Sequence, residues 1–342
     1  MDRVLDSESL AERYRASSLR PQTRELLISM LAGSEQEKDL TVPPNCRGLG
    51  RIRHFHRTTQ GGAWGENPLP IEPAQKALGL APTEAITAQV FQNAACNWRC
   101  WYCFVPFDLL AADETRAAWV TADDLVSMFA ALPNRPPIID VTGGQPDLVP
   151  EWVPWMMDSL DSHGLAEQVY LWSDDNLSSD YFWRFLSERQ IKRVATWRNY
   201  GRVCCFKGFD RESFTFNTAA DGALFDRQFE LFARLLALGL DLYAYVTLTT
   251  PTLAGLDDAM RHFMDKLQQI HPNLPLRTVP LRIQMFSPMR GRMQPTHHAA
   301  LAHQERVVEA FRKEVNSRFS TSMRRQSICD VPLTPFGEST VR

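Results

Sequence analysis

No run in the 342-residue sequence approaches the roughly eighteen uninterrupted apolar residues that a membrane-spanning helix needs. Charge of one sign is not in excess either: 37 Lys and Arg face 40 Asp and Glu, a formal net charge of −3. Such a balance gives no global field for a nucleic-acid backbone, so nucleic acid is disfavoured as a partner. Internal repeats and low-complexity tracts are absent, which excludes solenoids and compositionally biased arrays. The opening Met1-Asp2-Arg3-Val4-Leu5-Asp6 lacks the basic patch and apolar run of a secretory signal. The expectation is a cytoplasmic protein without a membrane partner. Cysteine is scarce: seven residues, an odd number, are spread as one tight cluster plus Cys46, Cys204, Cys205 and Cys329. That is not the pattern of a disulfide framework, and a reducing compartment fits it.

What is present is an alternation. Residues 1–80 are polar and irregular, with a helix expected from Ser9 to Ala32 and a Pro-, Gly- and Arg-rich stretch from Pro43 to Pro73. They read as an extension that wraps the main domain. From about Glu84, short β-branched or aromatic runs alternate with helical patterns, the signature of βα units and a parallel sheet. Strands are expected at 86–91, 137–142, 168–173, 202–207, 240–248 and 280–286. Helices are expected from Thr121, where Thr121 and Asp124 make a capping box, and at 150–164, 178–190, 223–238, 256–270 and 299–319. Six parallel units are too few for the usual eight-stranded barrel. The expected class is therefore α/β, a partial (β/α)6 barrel of the TIM type over residues 81–295, with the N-terminal extension before it and a C-terminal helix and tail over 296–342. Such sheets place their sites at the carboxyl ends of the strands.

The first expected strand runs directly into Asn93-Ala-Ala-Cys-Asn-Trp-Arg-Cys-Trp-Tyr-Cys-Phe104, which sets Cys96, Cys100 and Cys103 on one short loop. A tetrahedral zinc site wants four ligands, and no fourth is near in sequence. Three thiolates suit a cubane 4Fe-4S cluster with one iron left open, as catalytic metal sites leave a position open. Cys-x3-Cys-x2-Cys after a first strand, with the aromatic Tyr102 before the last cysteine, resembles the radical SAM superfamily over roughly residues 84–290. That resemblance implies that Cys96, Cys100 and Cys103 hold the cluster and that S-adenosylmethionine binds its open iron. It further implies reductive cleavage of S-adenosylmethionine to a 5′-deoxyadenosyl radical that abstracts hydrogen from a substrate. An external one-electron donor such as flavodoxin or ferredoxin is the implied partner. Gly143-Gly144-Gln145-Pro146, after the second expected strand, resembles the family's glycine-glycine-glutamate-proline motif, which receives the amino group of S-adenosylmethionine. Two glycines admit a close backbone approach. Gln145 replaces the acid, removing a charge and keeping a carbonyl acceptor.

Further candidates lie at the other strand ends. Ser173, Asp174, Asp175 and Asn176 read equally as contacts to ribose or methionine carboxylate and as helix caps and turn formers. Lys207 and Asp210 are candidates for the nucleoside or the substrate, and Thr247, Thr249 and Thr250 are weaker ones. Trp98, Trp101, Tyr102 and Phe104 read as an apolar shell for a cluster or as packing at the barrel mouth. Arg47, Arg51, Arg53, His54, His56 and Arg57 form the only dense basic stretch. Arginine forks there could hold a phosphate or carboxylate, although a solvated or self-packed linker is the stronger reading. His297, His298 and His303 lack a carboxylate partner and read as a surface helix start. No second Cys-x2-Cys pair follows residue 290, so an auxiliary-cluster domain is not expected. The substrate stays open among small molecules, nucleosides and proteins. One alternative inside the family is a glycyl-radical activating enzyme. The alternative outside it is a non-catalytic iron-sulfur or zinc binding module.

Overall fold

A computed structural model describes residues 4–57 and 66–333. Parts of two expected regions, 58–65 of the Pro-, Gly- and Arg-rich stretch and 334–342 of the tail, lie outside the described residues. Helix α1 (Ser7–Ser18) is capped by Asp6, whose carboxylate accepts from the Ser9 amide. The expected continuation to Ala32 does not form. Pro21 has no N–H for a helical ladder, and the chain turns through residues 21–24 so that β1 (Leu19–Arg20) pairs antiparallel with β2 (Glu25–Ser29). Next come β3 (Gly50–His56), α2 (Ile71–Leu78) and β4 (Ala85–Gln92), the first expected strand.

After the cysteine loop, β5 (Ala117–Thr121) joins β1 and β2 in a small three-stranded sheet and leads into α3 (Ala122–Ala130). The Thr121–Asp124 capping box forms as expected. Then follow β6 (Ile138–Thr142), α4 (Trp152–Ser162) and β7 (Tyr170–Asp175). The single helix expected at 178–190 is two, α5 (Tyr181–Phe185) and α6 (Glu188–Thr196), because Ser187 and Gln190 build a capping box that starts a new helix. The remainder is β8 (Tyr200–Phe206), α7 (Arg211–Thr218), α8 (Leu224–Leu236), β9 (Leu242–Thr247), α9 (Leu256–Ile270), β10 (Thr278–Leu281), α10 (Ser287–Arg290), α11 (Pro295–Arg318) and α12 (Thr321–Arg324).

The main sheet has seven strands in the order β10-β9-β8-β7-β6-β4-β3, curled into a half-barrel within a mixed α/β fold. Its six parallel strands fall where strands were expected, the last displaced toward 278–281. The seventh, β3, is antiparallel to β4 and comes from the segment read as an extension. Alternation along the strands builds two apolar layers. Phe91, Ile139, Val141, Leu171, Phe206 and Val246 meet the helices in the larger core, whereas Phe55, Ala88, Ile138, Trp172, Val203 and Tyr245 fill the concave side.

The amino ends of the strands are closed by the C-terminal segment. Glu72 accepts from the Ser327 hydroxyl and the Ile328 amide, Lys76 donates to the Cys329 carbonyl, and Arg277 donates to the carbonyl of Val331. Among the described residues no helix is long and apolar enough to cross a membrane.

Candidate functional site

Three loops meet at the carboxyl ends of β4, β6 and β7. The cysteine loop is pinned from several sides: the Cys96 amide donates to Leu110, the Arg99 amide to Thr218, and the Cys103 amide to the Cys100 carbonyl, closing a turn. Arg99, between the cysteines, reaches back to the carbonyls of Cys96 and Trp98 and to the Tyr14 hydroxyl of α1. Trp98 packs edge-on against Phe214 at 5.2 Å, and the Trp101 indole N–H donates to Asn217. His297, expected at the surface, stacks on Trp101 at 4.6 Å, and His303 lies against the Thr250 carbonyl.

All three cysteines are free thiols, with Cys96 and Cys100 buried and Cys103 half-buried. Burial, then Cys100 nearby, pushes the Cys96 thiol up to about 12, and the same causes raise Cys103. Cys96 feels both Cys100 and Cys103, and Cys103 feels Cys100. Among the described residues no three Cys, His, Asp or Glu side chains gather around one point as ligands of a single ion. A single zinc needs its ligands within about 2.0–2.3 Å of one centre, whereas a cubane cluster takes each thiolate on its own iron. The three cysteines are free thiols on one loop, and among the described residues no fourth ligand joins them.

The glycine turn is built against this loop. Gly143 and Gly144 have φ of 65° and 55°, in the left-handed region. A Cβ on Gly144 would stand 2.1 Å from the Ala95 carbonyl oxygen, and one on Gly143 1.9 Å from Cγ of Gln92. Both glycines are thus needed so that the turn can approach the chain's own β4 end, a requirement placed in the protein and not in a ligand. The Gln145 amide donates to Ala95 at 2.7 Å and Asn93 donates to the Gln145 carbonyl at 2.8 Å. Pro146 opens a short 3-10 turn.

The Gln145 side chain, expected to offer its carbonyl to a ligand, is fully buried and spent inside the protein. Its Nε2 donates to Asp175 at 2.9 Å and its Oε1 accepts from the Asn176 amide at 2.9 Å. Asn176 then donates to the Gly144 carbonyl at 3.1 Å and lies 3.9 Å from the Cys96 sulfur. Ser173 and Asp175 also turn away from the concave side. Ser173 bonds Tyr200 at 2.8 Å, and Asp175 meets the buried Arg202, which pairs with Asp147 at 2.8 Å. Side-chain alternation is the cause: Asp174 faces inward and its two neighbours face the helices. Asp210 caps α7.

Lys207 is buried beneath the cysteine loop. Burial alone would push its ammonium down, but Tyr102 and the thiols Cys205, Cys100 and Cys96 hold it above the ordinary lysine range. Burial raises the Tyr102 phenol, whose oxygen lies 2.9 Å from the Thr247 hydroxyl. Thr249 is used by Asn217 and Thr250 by the Thr252 carbonyl.

Deeper on the concave side is a group that motif reading did not single out. Asp140, in the middle of β6, is fully buried, and neither carboxylate oxygen has a hydrogen-bond partner. Arg53 of β3 stands 3.7 Å away, and Asp174, one register step up, accepts from Thr142. Burial, then Asp174, pushes Asp140 up to about 8. Arg51, read as part of a linker, is instead 7% exposed on β3 with its Nε unpartnered. Arg57 pairs with Glu72, while Arg47, His54 and His56 are exposed. A lone aspartate inside the run Ile138-Ile-Asp-Val-Thr142 was the available signal, since a buried strand seldom carries a charge. Two cavities, of about 420 and 500 Å³, lie elsewhere: one beside Tyr170, Tyr243 and Cys329, the other between α8 and α9 near Asp210.

No protein family and no curated protein matches the chain. Among solved structures the chain is similar to SuiB of Streptococcus suis bound to S-adenosylmethionine, with 13% identity, 53% of this chain and 37% of that one covered, and a TM-score of 0.39. For SuiB bound to precursor peptide SuiA the values are 13%, 53%, 36% and 0.38. For anSMEcpe with bound AdoMet they are 15%, 51%, 45% and 0.35. The chain thus spans less than half the length of each of these. Likeness this distant carries no argument about this chain.

Proposed function

We propose that the chain is a radical S-adenosylmethionine enzyme, with Cys96, Cys100 and Cys103 holding a 4Fe-4S cluster and S-adenosylmethionine as its second cofactor. The observation that carries this reading is the meeting of three loops. The cysteine loop, the Gly143–Pro146 turn and the Asp174–Asn176 end of β7 are hydrogen-bonded into one unit, with Asn176 touching both of the others. When bound, the cluster supplies the electron that cleaves S-adenosylmethionine to a 5′-deoxyadenosyl radical, drawn in turn from a donor such as flavodoxin or ferredoxin.

The chain's own residues provide the setting. Lys207 places one positive charge beside the thiols and offsets part of their charge once they ionise. Thr247 holds the Tyr102 hydroxyl, which orients the ring next to Cys103. Gln145 locks the glycine turn to β7, so the turn's backbone, and not the Gln145 amide, faces the cofactor on this reading. Residues 81–295 then correspond to the partial (β/α)6 barrel, and 1–80 to an extension that also lends it β3.

Metal content tests the cluster. Wild-type protein reconstituted anaerobically with iron and sulfide is expected to take up about four irons and gain visible absorption. Cys100→Ala is expected to lose both while keeping its fold by circular dichroism. Stoichiometric zinc without visible absorption would instead establish a structural metal module.

A further inference from the structure

The concave side of the half-barrel carries unsatisfied groups of opposite sign. Arg51 and Asp140 sit at one register level, Arg51 opposite Val90 and Val90 opposite Asp140, so a single strand separates them. Neighbouring strands lie about 4.8 Å apart, which sets the two backbones about 10 Å apart. Both side chains are at least nine-tenths buried, yet both Asp140 oxygens and the Arg51 Nε lack a hydrogen-bond partner. Buried polar groups in folded proteins are nearly always paired, so this pair points to something that binds between them.

The surroundings limit what that is. Arg53, held over the Phe55 ring at 4.2 Å, is the charged neighbour of Asp140 at 3.7 Å and leaves its oxygens without a hydrogen bond. Arg51 lies 5.4 Å from the ring of Phe104, the residue after Cys103, so this level borders the cysteine loop. Below it the lining is apolar, with Ala88 and Ile138, and Trp172 stands level with Asp140 on the next strand. A purely anionic ligand would leave both Asp140 oxygens without a hydrogen bond, and a purely cationic one would leave the Arg51 Nε without one. Each omission carries the penalty of an unsatisfied buried group.

We propose that Asp140 and Arg51 form a substrate subsite for a small amphoteric molecule of amino-acid type, its ammonium or N–H group on Asp140 and its carboxylate or carbonyl on Arg51. The subsite rests on the preceding reading only for what becomes of the bound molecule.

The test is calorimetric titration of the full chain, reconstituted with iron and sulfide and saturated with S-adenosylmethionine. Glycine, β-alanine and γ-aminobutyrate serve as amphoteric probes, and methylammonium and acetate as controls of one sign. At least one amphoteric probe is expected to bind about tenfold or more tightly than either control, and Asp140→Asn to weaken it by about tenfold or more. Arg51→Met is a second variant should Asp140→Asn melt prematurely, and the ranking of probes on wild type needs no variant. Equal binding of amphoteric and single-sign probes, no binding of any amphoteric probe, or unchanged binding in both variants overturns the proposal, leaving water as the partner of Asp140. Cleavage of S-adenosylmethionine by wild type is scored separately. Cleavage without selective probe binding sinks the subsite alone, and selective binding without cleavage sinks only the parent reading.

Discussion

Gln145 shows how much a single side chain can differ from what its motif suggests. Its position after two glycines was legible from spacing, but its orientation was not, because nothing in the sequence tells which way a strand-end residue turns. Buried between Asp175 and the Asn176 amide, it both donates and accepts. Gln145→Glu, which introduces the acid of the motif this turn resembles, would set a carboxylate against Asp175 and delete a donor. The variant is expected to lose about 1–3 kcal/mol in urea denaturation; equal or greater stability would contradict the bracket assigned to Gln145. Asp140 makes a second prediction. Its folded value of about 8 lies above the ordinary 3.8, so the folded chain holds the proton more tightly than the unfolded one. That contribution is fully present below about pH 4 and is lost as pH rises toward 8. Melting profiles across this window should flatten in Asp140→Asn, and an identical slope in both proteins would contradict the burial argument.

At the scale of elements, strands were the most legible feature. Runs such as Ile138-Ile-Asp-Val-Thr142 and Leu242-Tyr-Ala-Tyr-Val-Thr247 declare themselves by β-branched and aromatic content. β3 was missed because Arg51, Arg53, His54 and His56 alternate with only two apolar residues, and its pairing with β4 is non-local. Ser173 and Asp175 lie at the expected strand end with their side chains toward the helices, which the sequence could not show, since the period of two fixes alternation but not which set looks inward. What lies on the far face is the element joint: Arg202 of β8, fully buried, between Asp147 at 2.8 Å and Asp175 at 3.4 Å. Arg202→Ala would leave two carboxylates buried without their cation. The expected loss is about 3–5 kcal/mol, read from the shift in denaturation midpoint, together with lower iron uptake as the Gln145 bracket loosens. A loss below about 1 kcal/mol would show that the two aspartates relax to water.

For the whole molecule, the half-barrel explains why the candidate residues gather at one rim. Six parallel strands bring six loops to one end, and the segment from Ser327 to Val331 closes the other. The three cysteines, the glycine turn and Lys207 meet there although they span more than a hundred residues of sequence. Arg51 and Asp140 lie on the concave side with Arg51 near Phe104 of the cysteine loop, a juxtaposition that composition and spacing could not reveal because it depends on register across the sheet. On the proposed function, this rim cleaves S-adenosylmethionine. Protein reconstituted anaerobically and given dithionite and S-adenosylmethionine is predicted to release 5′-deoxyadenosine and methionine; four bound irons with neither product would contradict it.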